Sequence, residues 1–381
     1  MRMGIKLGVV GVGAFGSGFV GLFRRHPLVS RVALCDLEPE RLAACARANG
    51  IAETYPSLDA ILRSDLDALA IITQPWLHAP QAVQAMEAGK HVYSAVPLTY
   101  DADGDRVLDW CDRVVKASRR TGQFYMMGET SYFRPEAMYC RRRRKDFGRF
   151  VHAEGMYFHD VDLPACSLRE VSRARWGRAW KPSKAGGIPM HYPTHSLGGF
   201  LSVMHARVTE VAAFGFHDPE DDWHRADTEE GNVLGNETAL LKISNGATAE
   251  IKEYRRVGAF GHEGFSLYGT KASLVDSFGR VRWMTWETEE ELSPEAMRDP
   301  LPPDVAAAFR DEKGAGIYGG HGGSHTFLVN EFVQAVAGRR QPAINAWEAV
   351  RYLAPGIVAH QSALRGGALL KVPDWGDPPG S

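Results

Sequence analysis

The run Lys6-Leu-Gly-Val-Val-Gly-Val-Gly-Ala-Phe-Gly16 constrains this chain most: an apolar strand pattern enters Gly11-x-Gly13-x-x-Gly16, and a helical pattern begins at once. In that order the first glycine makes a tight turn and the second lets backbone approach a pyrophosphate. The third allows close helix–strand packing, while the helix start offers free N–H donors. Gly11, Gly13, Ala14, Phe15 and Gly16 therefore read as a dinucleotide-binding loop. A second strand pattern, Val32-Ala-Leu-Cys-Asp36, ends in an acid twenty positions after Gly16, where such a motif places its ribose ligand. A carboxylate there accepts hydrogen bonds from ribose hydroxyls and repels a 2′-phosphate, so the expected cofactor is NAD.

Up to about residue 125, strand and helix patterns alternate. Strands are expected at 5–10, 31–36, 68–73, 91–94 and 123–127, with helices at 79–88 and 103–121 between the later ones. Alternation of this kind means parallel strands joined by crossover helices, hence a doubly wound Rossmann sheet. Beyond it come longer β patterns with hairpin signals. Glu237–Ile243 and Ala247–Tyr254 flank Ser244-Asn245-Gly246, where Asn-Gly suggests a type I′ turn. Phe265–Tyr268 and Ala272–Asp276 flank Gly269-Thr270-Lys271. The second half should be an α/β domain on a large, mostly antiparallel open sheet. Asn345 followed by Glu348 reads as a reciprocal cap opening a helix to about Leu364. The region from 283 to 323 reads as a long loop excursion. We expect an NAD-binding domain over 1–127 and a substrate and oligomerisation domain over 128–381, whose last helix packs back on the first.

At 381 residues, two domains are the natural division. A formal net charge of −2 gives no general pull toward nucleic acid or anionic membrane, so a small polar molecule is the expected partner. The five cysteines form no metal-like spacing and their odd number argues against a disulfide framework. Met1-Arg-Met-Gly-Ile-Lys leads straight into the first strand without an apolar leader, and no run nears the ~20 apolar residues that span a bilayer. A cytoplasmic location is expected.

The densest chemistry is Gly186-Gly-Ile-Pro-Met-His191-Tyr192-Pro-Thr-His195-Ser-Leu-Gly-Gly199. His191 and His195 would share a helix face if a helix spanned both. No acid nearby in sequence completes a zinc site, so no metal is expected and proton transfer is the better reading. Glu129 and Tyr132 follow the last parallel strand at its carboxyl edge, and Tyr157 and His159 share one face of a strand. The run Arg141 to Lys145 reads as a solvated surface, whereas Lys181 and Lys184, just before the histidines, could meet an anionic substituent.

With Gly11/Gly13/Gly16, Ile72-Thr73 with His78 downstream, and Ala88-Gly-Lys-His-Val92 before a proline, the chain resembles the Gfo/Idh/MocA family of sugar and inositol oxidoreductases. The resemblance adds Thr73, His78 and Pro97 to the cofactor residues. Dehydrogenases of that family end the strand before the proline in Glu-Lys-Pro, with a catalytic lysine. Here Ala95-Val96-Pro97 stands instead. Tyr192-Pro-Thr-His195-x-Leu-Gly, Met126-Met-Gly-Glu129, Tyr157-x-His159-Asp160, His321-Gly-Gly and Val372-Pro-Asp374 are similar to the family's NAD-dependent glycosidases, the α-N-acetylgalactosaminidases and a related sulfoquinovosidase group. This resemblance implies redox-neutral glycoside hydrolysis begun by hydride abstraction at sugar C3. It implies Tyr157 and His195 as acid and base, with Glu129, His159 and Tyr192 orienting the sugar, His191 beside them and His321 near the substrate. It also implies a homodimer or homotetramer through the second sheet. A sugar or inositol dehydrogenase and a non-catalytic NAD-binding regulator are the alternatives.

Overall fold

The computed structural model describes residues 4–379 except 165, 312 and 314; Met1 to Met3, read above as leading into the first strand, lie outside it. Six strands, β1 (Ile5–Val10), β2 (Val29–Cys35), β3 (Thr54–Tyr55), β4 (Ala68–Ile71), β5 (His91–Ser94) and β6 (Tyr125–Met127), form one parallel sheet in the order 3-2-1-4-5-6. Helices cover both faces, so β4 is buried at every residue and reads as a continuous apolar run rather than an alternation. The strand order reverses between β1 and β4, which opens the ligand crevice at their carboxyl ends.

The second sheet has nine strands: β7 (Phe150–His159), β8 (Val208–His217), β9 (Leu234–Ile243), β10 (Thr248–Tyr254), β11 (Gly261–Gly269), β12 (Ala272–Ser277), β13 (Arg280–Thr285), β14 (Glu289–Leu292) and β15 (Leu370–Lys371). Their order is 14-13-12-11-7-10-9-8-15, and every neighbouring pair is antiparallel except β7 with β10. The inner face receives the wholly buried helix Thr194–Met204 and the helix Ala346–Ala363, which also packs on the helix Gly104–Thr121 of the first sheet. All five cysteines are free thiols.

Three local expectations are corrected. Asn345 caps its helix by accepting from Trp347 and Glu348 N–H, but Glu348 does not return the bond, because its carboxylate accepts from Arg351. The Ser244–Gly246 turn is not type I′. Gly246 alone takes a positive φ (+90°), its N–H reaches the Ile243 carbonyl, and Asn245 Oδ1 instead accepts from Ala247 N–H at 3.0 Å. That is a type I turn followed by a left-handed glycine. The 283–323 region is more than a loop, since it carries β14 and the helices Pro294–Met297 and Pro303–Ala308. The Arg141–Lys145 run is exposed from Arg142 onward, in keeping with a solvated surface, and Arg144 in addition donates to the carbonyls of Val203 and Met204 at 2.9 and 3.1 Å, where the buried helix Thr194–Met204 ends.

Candidate active site

One cross-strand row builds the site. On the inner face of the second sheet, Glu237 of β9 opposes Glu253 of β10, Glu253 opposes Tyr157 of β7, and Tyr157 opposes Glu263 of β11. Each of these glutamates lies at the end of an inward row that is otherwise apolar, as in Ala249, Ile251 and Glu253. Buried carboxylates need partners, and each has one. Glu237 meets His360 Nδ1 at 2.9 Å, and Glu253 accepts from Ser196 at 2.6 Å and from Arg255 at 2.8 Å. Glu263 pairs with Arg134 at 2.7 Å.

His195 enters this row from the first turn of the helix Thr194–Met204. That helix approaches β7 at Gly155, where a Cβ would lie 1.9 Å from the Ser196 carbonyl oxygen. His195 Nδ1 stands 2.8 Å from Glu129 Oε1 and 3.6 Å from Glu263 Oε1. Burial opposes the imidazolium, but the two carboxylates outweigh it and push His195 up to about 9. Nδ1 therefore gives its proton to Glu129, and Nε2, with no protein partner among the described residues, is left for a ligand. Glu129, His195 and Glu263 lie within 4.8 Å of one another, a spacing open to a cation, where Arg134 already supplies positive charge. The acids that the sequence near His195 lacks are thus brought in by the fold.

Two relays flank His195. Tyr157 and Tyr192 place their rings 4.9 and 5.1 Å from it. Tyr157 Oη lies 2.7 Å from His159 Nδ1, and His159 Nε2 lies 2.6 Å from the Cys166 carbonyl. A carbonyl only accepts, so His159 carries its proton on Nε2 and Tyr157 donates to Nδ1. Burial raises the Tyr157 phenol, and the Arg255 guanidinium 4.7 Å from its ring centroid pulls it back down. On the other side His325 accepts from Gly320 N–H, so its Nε2–H donates to His321 Nδ1 at 3.1 Å and leaves the His321 proton on Nε2. The His321 ring stacks 6.0 Å from His195 and lies 6.5 Å from Phe15. It joins the His195 cluster to the glycine loop.

The glycine loop suits a dinucleotide. A Cβ at Gly16 would sit 1.9 Å from the Gly11 carbonyl oxygen, whereas a Cβ at Gly13 would meet nothing within 4 Å, leaving open the side where phosphates approach. The helix Ala14–Arg25 has no side-chain cap, so its first N–H donors are available. Asp36 follows β2 beside the loop, accepting from Val12 N–H at 3.0 Å and Glu38 N–H at 2.9 Å and pairing with Arg41 at 3.3 Å. His78 ties the strand ends together, Nδ1 to the Pro97 carbonyl at 2.8 Å and Nε2 to that of Thr73 at 3.0 Å, and Thr73 donates to Gln81. These residues shape the crevice floor.

Three expected site residues, His191, Tyr132 and Lys184, are engaged with other partners. His191 ends the turn Pro189–His191 before the helix starts, so it shares no helix face with His195. It bonds the Asp101 carbonyl at 2.8 Å, packs 5.3 Å from His360, and burial drives it down to about 3. Tyr132 lies under the Arg141 guanidinium at 4.1 Å, on the far side of its turn. Lys184 pairs with Glu229 over the Trp176 ring, and Lys181 is exposed. Glu263, Arg134, Glu253, Arg255 and His325 were not singled out from sequence. A glutamate closing an apolar inward row was the signal for the two acids.

Residues 5–129, the span that holds the six-strand parallel sheet, match the family described as oxidoreductase family, NAD-binding Rossmann fold, under the heading Gfo/Idh/MocA. A glycosyl hydrolase family 109 protein from Shewanella pealeana is 32% identical over 211 residues, which are 51% of this chain and 43% of that relative. The match thus spans less than half of that relative's length. An alpha-N-acetylgalactosaminidase from Shewanella oneidensis is 24% identical over 97% of this chain and 85% of its own. A levoglucosan dehydrogenase solved with NADH and levoglucosan shares the fold at a TM-score of 0.76 and 18% identity, covering 97% of this chain and 100% of its own.

Proposed function

We propose that this NAD-binding member of the Gfo/Idh/MocA group cleaves glycosides without net redox change, and that Tyr157, His159, His195 and Glu129 carry its proton transfers. The observation behind this reading is the pair of opposed devices on one row: a phenol whose proton has an acceptor, and an imidazole held charged. Gly11 to Gly16 would cradle NAD with Asp36 towards its ribose, and the cofactor would supply reversible hydride acceptance at C3, with the hydroxyl proton exchanged with solvent. Oxidation at C3 acidifies the neighbouring C2–H. Tyr157 passes its own proton to His159 Nδ1, where the Cys166 carbonyl steadies the resulting imidazolium, and the phenolate takes the C2 proton. His195 gives its Nε2 proton to the departing aglycone oxygen as the C1–O bond breaks, and Glu129 and Glu263 hold the ring in place. Water then adds at C1 and gives a proton back to His195 Nε2, while Tyr157 returns the C2 proton and recovers its own from His159. Tyr192 and His321 line the same space.

Val96, at the position of the dehydrogenase lysine, has no proton to move, which favours the glycosidase over a plain dehydrogenase. Incubation in D₂O with NAD⁺ and nitrophenyl glycosides tests it, reading aglycone release and NADH absorbance together. Release without NADH, with deuterium at C2, is expected. NADH accumulating without release identifies a sugar or inositol dehydrogenase, and tight NAD binding with no turnover a regulator. We further propose that a second copy of the chain covers the outer face of the nine-stranded sheet.

A further inference from the structure

The segment from Cys166 to Lys184 leaves the side of the nine-stranded sheet and returns to it, and between its ends it touches the parallel sheet's side. Its start is moored beside the His195 cluster. The Cys166 carbonyl accepts from His159 Nε2 at 2.6 Å, and His159 in turn meets Tyr157, whose ring lies 4.9 Å from His195. Ser167 Oγ donates to the Val161 carbonyl at 3.1 Å, and Leu168 packs on the small cluster of Val161, Ala185 and Trp223. The helix Leu168–Trp176 that follows buries none of its side chains. A surface helix ordinarily hides an apolar face against its own core. This one is held at its far end instead. The Trp176 ring stacks on Trp76 with centroids 4.2 Å apart and planes 18° from parallel, and Gln74 Nε2 reaches the Arg175 carbonyl at 3.5 Å.

Trp76 stands where the cofactor crevice opens. Ile72 and Thr73 follow β4 on the carboxyl edge, at the reversal of strand order. A Cβ on Gly11 would lie 2.5 Å from the Ile72 carbonyl oxygen and 3.0 Å from Thr73 Cγ2. The turn Pro75–Leu77, which carries Trp76, therefore departs from chain that touches the glycine loop. The segment runs from the Tyr157–His159 relay on one side to this turn on the other, and so bridges the crevice that lies between them. On its return Lys184 Nζ sits 3.9 Å from the centre of the Trp176 ring. Two stacked rings can part without disturbing either core, and an exposed helix can swing with them.

We propose that Cys166–Lys184 is a strap over the bound NAD, latched by the Trp76–Trp176 stack, and that unlatching is the step through which the cofactor enters and leaves. The proposal needs the dinucleotide crevice but no particular sugar chemistry, so it stands or falls apart from glycoside cleavage. A redox-neutral cycle requires the cofactor to stay until the hydride has returned, and a latched strap keeps it there. A latch is distinguishable from an ordinary contact: a barrier slows entry and exit alike and leaves affinity unchanged, whereas a contact slows exit alone.

NADH exchange on the full chain tests the latch. Stopped-flow mixing, followed by the fluorescence of the bound cofactor, gives the entry rate, and displacement by excess NAD⁺ gives the exit rate. In Trp176→Ala and in Trp76→Ala both rates should rise at least tenfold while the affinity stays within threefold. Trp176→Phe, which keeps a ring to stack, should stay within threefold of wild type in both rates. The double alanine variant should match either single one within twofold, because one stack is lost in all three. Trp76→Ala leaves the strap's own sequence intact, yet amide exchange over residues 168–176 should quicken at least tenfold. Should Trp76→Ala fail to fold, Trp176→Ala on the exposed helix carries the test by its two rates. Exit unchanged in Trp176→Ala overturns the proposal. So does exit quickened with entry unchanged, or single effects that multiply in the double variant, since either result makes the two rings ordinary cofactor contacts.

Discussion

His195 shows how one side chain can be read from its charges. Its folded pKa of about 9 lies above the ordinary 6.5, so the native state holds the proton more tightly than the unfolded chain does. The stabilisation is complete below the unfolded value and is lost as pH rises through 9. A shift of that size corresponds to about 3 kcal/mol. Glu253, which burial pushes up to about 7 from an ordinary 4.5, acts in the same direction, costing stability as pH climbs through that interval. Thermal melts should therefore fall from pH 6 to 9. Replacing Glu129 by Gln removes the nearer carboxylate, so the alkaline limb of the kcat profile should move at least one pH unit down, with kcat lowered about 10²-fold or more. An alkaline limb that stays near 9 in Glu129→Gln would show that another group sets it. Arg255 acts through Tyr157 and belongs to the same test: Arg255→Met should shift the limb owed to the phenol upward, because the cation 4.7 Å from the ring centroid is gone.

At the scale of elements, position depends on close approach. Gly155 lets the helix Thr194–Met204 lie against β7, and both carry residues to which we assign proton transfer, so the distance between His195 and Tyr157 is set there. In Gly155→Ala the new methyl meets the Ser196 carbonyl, and the helix must move outward. We expect a loss of about 1–3 kcal/mol in stability and a larger fall in kcat than in NAD affinity, read by melting, turnover and cofactor titration. A cofactor affinity lost in step with kcat would mean the damage spreads to the first sheet. The same geometry explains what could be read from sequence. The glycine loop, Asp36 and the parallel strands were legible because their chemistry is local and periodic. Tyr157 with His159 followed from a period of two. His191 misled because a helix was extended across Pro193, which instead stands as its N-cap. Glu263 and Arg134 were hidden because they reach His195 only through strand pairing and a fold contact, a separation no local pattern records. The lysines looked like substrate residues until Glu229 was seen to hold Lys184.

In the whole molecule, one face of the nine-stranded sheet is spent on the two helices that build the site, and the other is left outward. That outer face carries Phe214 and Phe216 on β8 and Leu240 on β9, which are 68%, 54% and 61% exposed, beside the stacked pair Phe158 and Tyr254. Rings on adjoining strands in this number are costly to leave in water. Charges lie among them, Glu210 with Lys242 and Glu250 with Lys252, so the face offers both signs to a copy of itself, as an isologous interface requires. Light scattering coupled to gel filtration should give twice or four times the chain mass. The substitutions Phe214→Glu and Leu240→Glu together should give the monomer while retaining NAD binding, since neither residue touches the crevice. A wild-type monomer at micromolar concentration would remove the second copy from this face. Activity in the separated chains has its own meaning, because all the groups to which we assign proton transfer come from one chain. A monomeric variant that keeps wild-type turnover would show that assembly protects the sheet, and one that loses turnover while keeping NAD would show that the paired sheets hold β7, β10 and β11 in the register on which the row of Glu253, Tyr157 and Glu263 depends.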